Sequence, residues 1–233
     1  MIKSIRLSVS MAMLAASTST FAIESSAPSD ELPILKQESQ HVAAAKRISS
    51  QFLRAHYKQI DLDDELSNKI FHRFIRSLDY NRNVFNAKDI ASFAQYQDKF
   101  DDAIERGNLS IAYEIYQLNM EKRAERYEYA LTLLEKPFNF ELPNDTFVYD
   151  REKADWAKND TELNELWRQR VKYDALNLKL AGKDWEKTQE LLTKRYKRAI
   201  KRLTQTTSED VFQTVMHSFA RSIEAHTSYL SPR

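Results

Sequence analysis

Asp63-Asp64-Glu65-Leu66-Ser67-Asn68-Lys69-Ile70-Phe71-His72-Arg73-Phe74-Ile75-Arg76-Ser77-Leu78 is the stretch whose reading decides the fold. Leu66, Ile70, Phe71, Phe74, Ile75 and Leu78 recur every three or four residues, which gathers them on one face of an α-helix. Asp61 and Asp63 stand in front and offer side-chain oxygens to the first unpaired N–H groups. Asp79 to Asn83 follows as a turn-rich break.

The same period runs outward in both directions. A helix is expected over 34–58, with Val42, Ala45, Ile48, Phe52 and Leu53 inward. Asn86 caps a third helix through Ile90, Phe93, Gln97, Phe100 and Ile104, and Gly107 stands where a left-handed residue would end it. Leu109, Tyr113, Tyr116, Met120, Tyr127, Leu131 and Leu134 stripe a long fourth helix, ended by Pro137. Residues 138–159 lose the period but stay aromatic, so an ordered excursion is expected, with a short strand at Thr146 to Tyr149. Asp160 caps a fifth helix that ends near Gly182, and Asp184 caps a sixth through Leu192, Tyr196, Ile200 and Leu203. Thr207 and Asp210 have capping-box spacing and open a seventh, with Val211, Phe212, Val215, Met216, Phe219 and Ile223 inward. The chain has two Gly and five Pro, too few for a fold built on tight turns. The expectation is an all-α, irregular multi-helix domain of about seven helices with one extended excursion at 138–159.

The start of the chain reads as a secretory signal over 1–22. Lys3 and Arg6 are its positive region, Leu7 to Ala16 its short apolar run, and Thr20-Phe21-Ala22 its cleavage site. That run is shorter than the roughly 20 residues that span a bilayer, so no membrane span is expected after its removal. Export points to the periplasm. There is no Cys, which excludes disulfides and thiolate chemistry. The formal charge is +1, and −1 without Lys3 and Arg6, so no global attraction draws the chain to nucleic acid or an anionic membrane.

No catalytic, cofactor-binding or metal-ligating residue is assigned. Two glycines cannot make a phosphate-binding loop or a dinucleotide fingerprint. His41, His56, His72, His217 and His226 fall at no metal-ligand spacing. Asp63-Asp64 and Asp101-Asp102 are adjacent pairs, which do not face each other on a helix, so caps and solvated surface are expected. Lys194, Arg195, Lys197, Arg198, Lys201 and Arg202 form the densest charge cluster. It reads as a nucleic-acid or lipid contact, or as the outer face of the sixth helix; the outer face is favoured, and docking of an acidic protein stays open.

Leu78-Asp79-Tyr80-Asn81-Arg82-Asn83-Val84-Phe85, then Arg126-Tyr127-Glu128-Tyr129-Ala130-Leu131, Asn164-Glu165-Leu166-Trp167, Ser208-Glu209-Asp210-Val211-Phe212 and His226-Thr227-Ser228-Tyr229-Leu230-Ser231-Pro232 occur in order. Together they resemble the N-terminal helical region of the tail-specific, or C-terminal processing, serine proteases. One departure is Glu224-Ala225, where the family has Asp-Pro. The resemblance implies a flexible linker at 23–33, a helical N-terminal domain at 34–224, and a linker at 225–233 leading to a PDZ domain. It implies that the Ser and Lys of the protease core lie beyond that PDZ domain, so this chain alone is expected to be inactive. It implies protein substrates and an adaptor lipoprotein as partners, and a helical wall that encloses substrate. A free-standing periplasmic protein-binding module is the alternative. A piece of a larger enzyme should leave an uncovered apolar patch near Phe219, Ile223, Tyr229 and Leu230; a module should be polar there.

Overall fold

A computed structural model describes residues 31–141 and 145–231. The expected signal at 1–22 and most of the expected linker at 23–33 lie outside the described residues. The chain is all-helical, with eight α-helices among the described residues: α1 Ser39–Ala55, α2 Asp64–Leu78, α3 Ala87–Phe93, α4 Phe100–Arg106, α5 Ser110–Leu133, α6 Asp160–Leu180, α7 Trp185–Leu203 and α8 Ser208–Ile223.

Most caps fall where the sequence puts them. Asp63 accepts the Leu66 N–H at 2.8 Å, and Asp61 takes no part. Thr207 and Asp210 close their capping box. Asp184 caps α7. The cap of α6 is Asn159 rather than Asp160, which is the first residue of the helix. The expected helix over 34–58 is shorter at both ends, and Leu53 lies outward. Pro137 does not end α5, which stops at Leu133.

Two corrections have clear physical causes. The expected third helix is broken into α3, a 3-10 turn at Ala94–Tyr96, and α4. Ser67 of α2 reaches into the gap: its hydroxyl donates to the Gln97 carbonyl and accepts the Phe100 N–H, both at 2.8 Å. A tertiary hydroxyl thus serves backbone groups that a continuous helix would pair internally. The second correction is the expected strand at Thr146 to Tyr149. The described residues contain no strand, because no second segment runs alongside to complete a ladder. Side chains hold the excursion instead, with Phe147 5.3 Å from Tyr173.

The buried residues form two cores. In the first, α1, α2, α4, α8 and the front of α5 enclose Phe71, Phe74, Phe100, Phe212 and Phe219. In the second, α6, α7 and the rear of α5 enclose Leu163, Trp167, Val171, Leu192 and Tyr196. The α5 helix joins them, with Ile115 and Met120 in the first core and Ala130 in the second. Its buried face also carries Asn119 and Arg126, so its apolar stripe is interrupted. Asn119 donates to the Leu78 carbonyl and Arg126 to Asn164.

Candidate functional site

The break at Asp79 to Asn83 becomes the joint between the cores. Asp79 is buried, and its carboxylate accepts the N–H groups of Asn83, Val84 and Phe85 at 2.8–2.9 Å. Burial raises its pKa; the three N–H groups and Arg123 pull the other way without reversing the shift. Arg82 takes a positive φ of 49° in this turn, and the Asn83 carbonyl receives the Trp167 indole N–H at 2.6 Å. A loop of the first lobe thereby grips the largest side chain of the second.

The start of α8 is tied down by a different set of groups. His41 of α1 is 2% exposed and stacks flat on Phe212, with ring centres 4.7 Å apart. Its Nε2 lies 2.9 Å from Glu209 Oε2, and its Nδ1 2.9 Å from the Tyr113 hydroxyl. That hydroxyl is also 2.8 Å from the Ser208 carbonyl. Burial, with Glu209 and Glu38 nearby, pushes the Tyr113 phenol well above its usual range, so it keeps its proton. The second oxygen of Glu209 accepts the Ser231 hydroxyl at 2.6 Å, and Tyr229 meets Phe212 edge-on at 5.7 Å. One histidine, one tyrosine and one glutamate therefore join α1, α5, α8 and the C-terminal segment. The imidazole is buried, and these contacts tie the four segments together.

The exit from α8 shows how Glu224-Ala225 ends the helix. Glu224 ends the helix in an extended conformation. Its carboxylate takes the His226 N–H at 2.7 Å and lies 2.9 Å from the His226 ring. These contacts hold the Glu224 carboxyl below its usual range. His56 adds a contact to Thr227 at 3.1 Å. The expected apolar patch is largely absent here. Phe219 is fully buried, 5.6 Å from Phe52, and Ile223 and Tyr229 are partly covered; Leu230 is exposed. The helix α1 supplies the cover, which the sequence of α8 does not reveal.

The basic cluster on α7 is solvent-facing, with Lys194, Lys197, Arg198 and Lys201 on the outer face and Arg195 and Arg202 at its flank. All six cations are exposed, while Leu192, Tyr196 and Leu203 point inward. Of the acid pairs, Asp63 is a cap and Asp102 meets Arg106 at 3.2 Å. Asp101 departs from expectation: it is buried, because the first turn of α4 packs against α1 and α2. His41 is the group that sequence reasoning missed. Its partners lie 72 and 168 residues away, and no local pattern connects them. Among the described residues no three His, Asp or Glu are placed to hold a metal ion, and no helix is long and apolar enough to cross a membrane.

A family model described as the tail specific protease N-terminal domain matches residues 48–233. The tail-specific protease of Haemophilus influenzae is 46% identical over 208 residues, which covers 88% of this chain and 30% of that protein. The chain belongs to the tail-specific protease N-terminal domain family. It spans less than a third of the length of that relative.

Proposed function

We propose that this chain is the non-catalytic helical front of a periplasmic C-terminal processing serine protease, one that trims or degrades envelope proteins. In this reading residues 1–22 direct export, 34–224 form the helical wall beside the substrate, and 225–233 lead to a PDZ domain and a protease core. The observation that carries it is the fastening of the C-terminal segment. Ser231 on Glu209, Tyr229 on Phe212 and Thr227 on His56 fix the direction in which the chain leaves α8. A defined exit suits a wall that must hold a following domain in place. The exposed cations of α7 offer a complementary face to an acidic adaptor lipoprotein.

The alternative is a free-standing periplasmic protein-binding module. The burial of Phe219 favours it, because the end of α8 is sealed by this chain's own α1. One experiment separates the two. The reading frame downstream of the Arg233 codon is determined, and the chain alone and any longer product are incubated with an unfolded reporter that ends in apolar residues. The first reading expects a PDZ domain and a Ser/Lys peptidase downstream, with cleavage by the long product alone. Cleavage by the short chain overturns it. An unrelated downstream sequence leaves the module.

A further inference from the structure

Where the two lobes meet, a cleft of about 320 Å³ opens among the Asp79 turn, the excursion, α5, α6 and α7. Its wall mixes aromatic rings with polar and charged side chains. Tyr196 is 3% exposed, and its ring lies 6.1 Å from that of Tyr127. Tyr173 stands opposite the excursion, 5.3 Å from Phe147 and 6.2 Å from Tyr149. Arg151, Arg170, Arg195 and Arg202 bring four guanidinium groups to the same cleft.

These cations are poorly matched. Asp174 is the one carboxylate in the lining, and it already receives Arg195 and the Tyr196 hydroxyl, each at 3.3 Å. Among the described residues Arg170 and Arg202 have no carboxylate partner; Arg170 lies over the Trp167 ring at 4.6 Å. Arg151 has a buried Nε with no hydrogen-bond partner. Burial, opposed by Asp79 and reinforced by Arg82, holds its guanidinium below the usual range. The surplus of positive charge therefore faces a partly enclosed space. Arg195 and Arg202 stand exposed at its mouth and Arg151 and Arg170 are half-buried, whereas Lys194, Lys197, Arg198 and Lys201 of α7 face away from it.

A planar guanidinium matches the paired oxygens of a carboxylate or phosphate, and the exposed ring of Tyr149 offers a face on which a flat group can stack. The volume lies at the small end of ligand pockets, enough for one such group. We propose that the cleft lined by Arg151, Arg170, Arg202 and Tyr173 binds a small oxyanion, carboxylate or phosphate, carried on a flat unsaturated group. Such a ligand would bridge the excursion to α6 and α7, and its occupancy would tighten the seam between the lobes.

The test uses the full chain and isothermal titration with three probes: phenyl phosphate, benzoate and inorganic phosphate. One of the two aryl anions is expected to saturate a single site at least tenfold more tightly than inorganic phosphate. The tighter one identifies the oxyanion. The pair R170Q/R202Q is expected to weaken it at least tenfold. The control K194Q/K197Q makes the same charge change on the outer face of α7 and is expected to stay within twofold. Failure of both aryl anions to saturate overturns the proposal, as does equal weakening by both variant pairs, which would mean general surface attraction. If R170Q/R202Q does not fold, NMR titration of the unaltered chain decides. The Tyr149 and Tyr173 ring signals must shift with the aryl anion, and their constancy overturns the proposal.

Discussion

The lobe of α1, α2, α4 and α8 and the lobe of α6 and α7 solve the same packing problem in different ways. In the first, phenylalanines from separate helices meet directly: Phe71 and Phe74 lie 5.9 and 5.6 Å from Phe100, and Phe52 meets Phe219. In the second, two helices and the rear of α5 give a smaller apolar core, and the excursion covers its side with charge as well as rings. Asp145 receives Arg168 through both oxygens at 3.1 and 2.7 Å, and Lys172 at 2.6 Å. Arg126 reaches Asn164 and Arg170 lies over Trp167. The first lobe buries its polar ties, His41 and Asp79 among them, within apolar packing; the second keeps its charges at its surface. This teaches where each kind of role belongs. A lobe that buries its polar ties in apolar packing can hold the exit of α8 in place, while a lobe edged with arginine and tyrosine can meet a ligand.

The largest break in this comparison should come from Trp167→Ala. It removes the biggest buried side chain of the second lobe and the indole bond to Asn83. A loss of about 3–5 kcal/mol is expected for a buried aromatic cut to alanine. Urea unfolding should split into two transitions, the second lobe first; a single shifted transition would mean that the lobes unfold as one.

The two glycines give a sharper pair. Gly107 and Gly182 end α4 and α6 at φ of 69° and 78°. Alanine at either should cost about 1–2 kcal/mol for the left-handed backbone. At Gly107 the new Cβ would also lie 2.5 Å from the Val42 carbonyl of α1, whereas nothing stands within 4 Å at Gly182. Gly107→Ala is therefore expected to cost about 1–3 kcal/mol more, the usual range for overpacking, as a larger drop in melting temperature. Equal drops would show that α1 yields without loss.

Asp145→Asn tests the charged cover of the second lobe. Its hydrogen bonds with Arg168 and Lys172 hold the carboxyl below the usual range. A depressed pKa adds stability above the unfolded value of about 3.9, and that stability is lost as pH falls through the lower folded value. Replacement should cost about 1.5–3 kcal/mol at neutral pH and remove part of the acid sensitivity below about pH 4. Parallel stability curves for variant and parent across that window would refute the assignment.

The smallest effect is expected from Ser231→Ala. It removes one hydroxyl from Glu209 at the edge of the first lobe. Amide exchange should quicken at Tyr229, with a stability change of about 1 kcal/mol or less. Unchanged exchange there would mean that Phe212 alone holds the segment.

Much of this architecture was legible in the chain. Periodicity placed α2, α7 and α8, because their buried faces are almost wholly apolar, and Asp63, Asp184 and Thr207 marked their starts. The errors cluster where a distant group intervenes. The break between α3 and α4 depends on Ser67, about 30 residues away, and a helical period has no term for such a partner. Asp101 reads as surface until α1 and α2 bury it.

The sequence by itself determined the helical class, most helix starts and the exposure of the α7 cations, since these follow from neighbours within one or two turns. Tertiary structure alone decided the division into two cores, the covering of Phe219, and the meeting of His41 with Tyr113 and Glu209. It also decided the gathering of four arginines and several tyrosines in one cleft. The reason is range. A cap or an amphipathic stripe is specified within a few residues, but burial and charge neighbourhood are sums over groups brought together from separate helices.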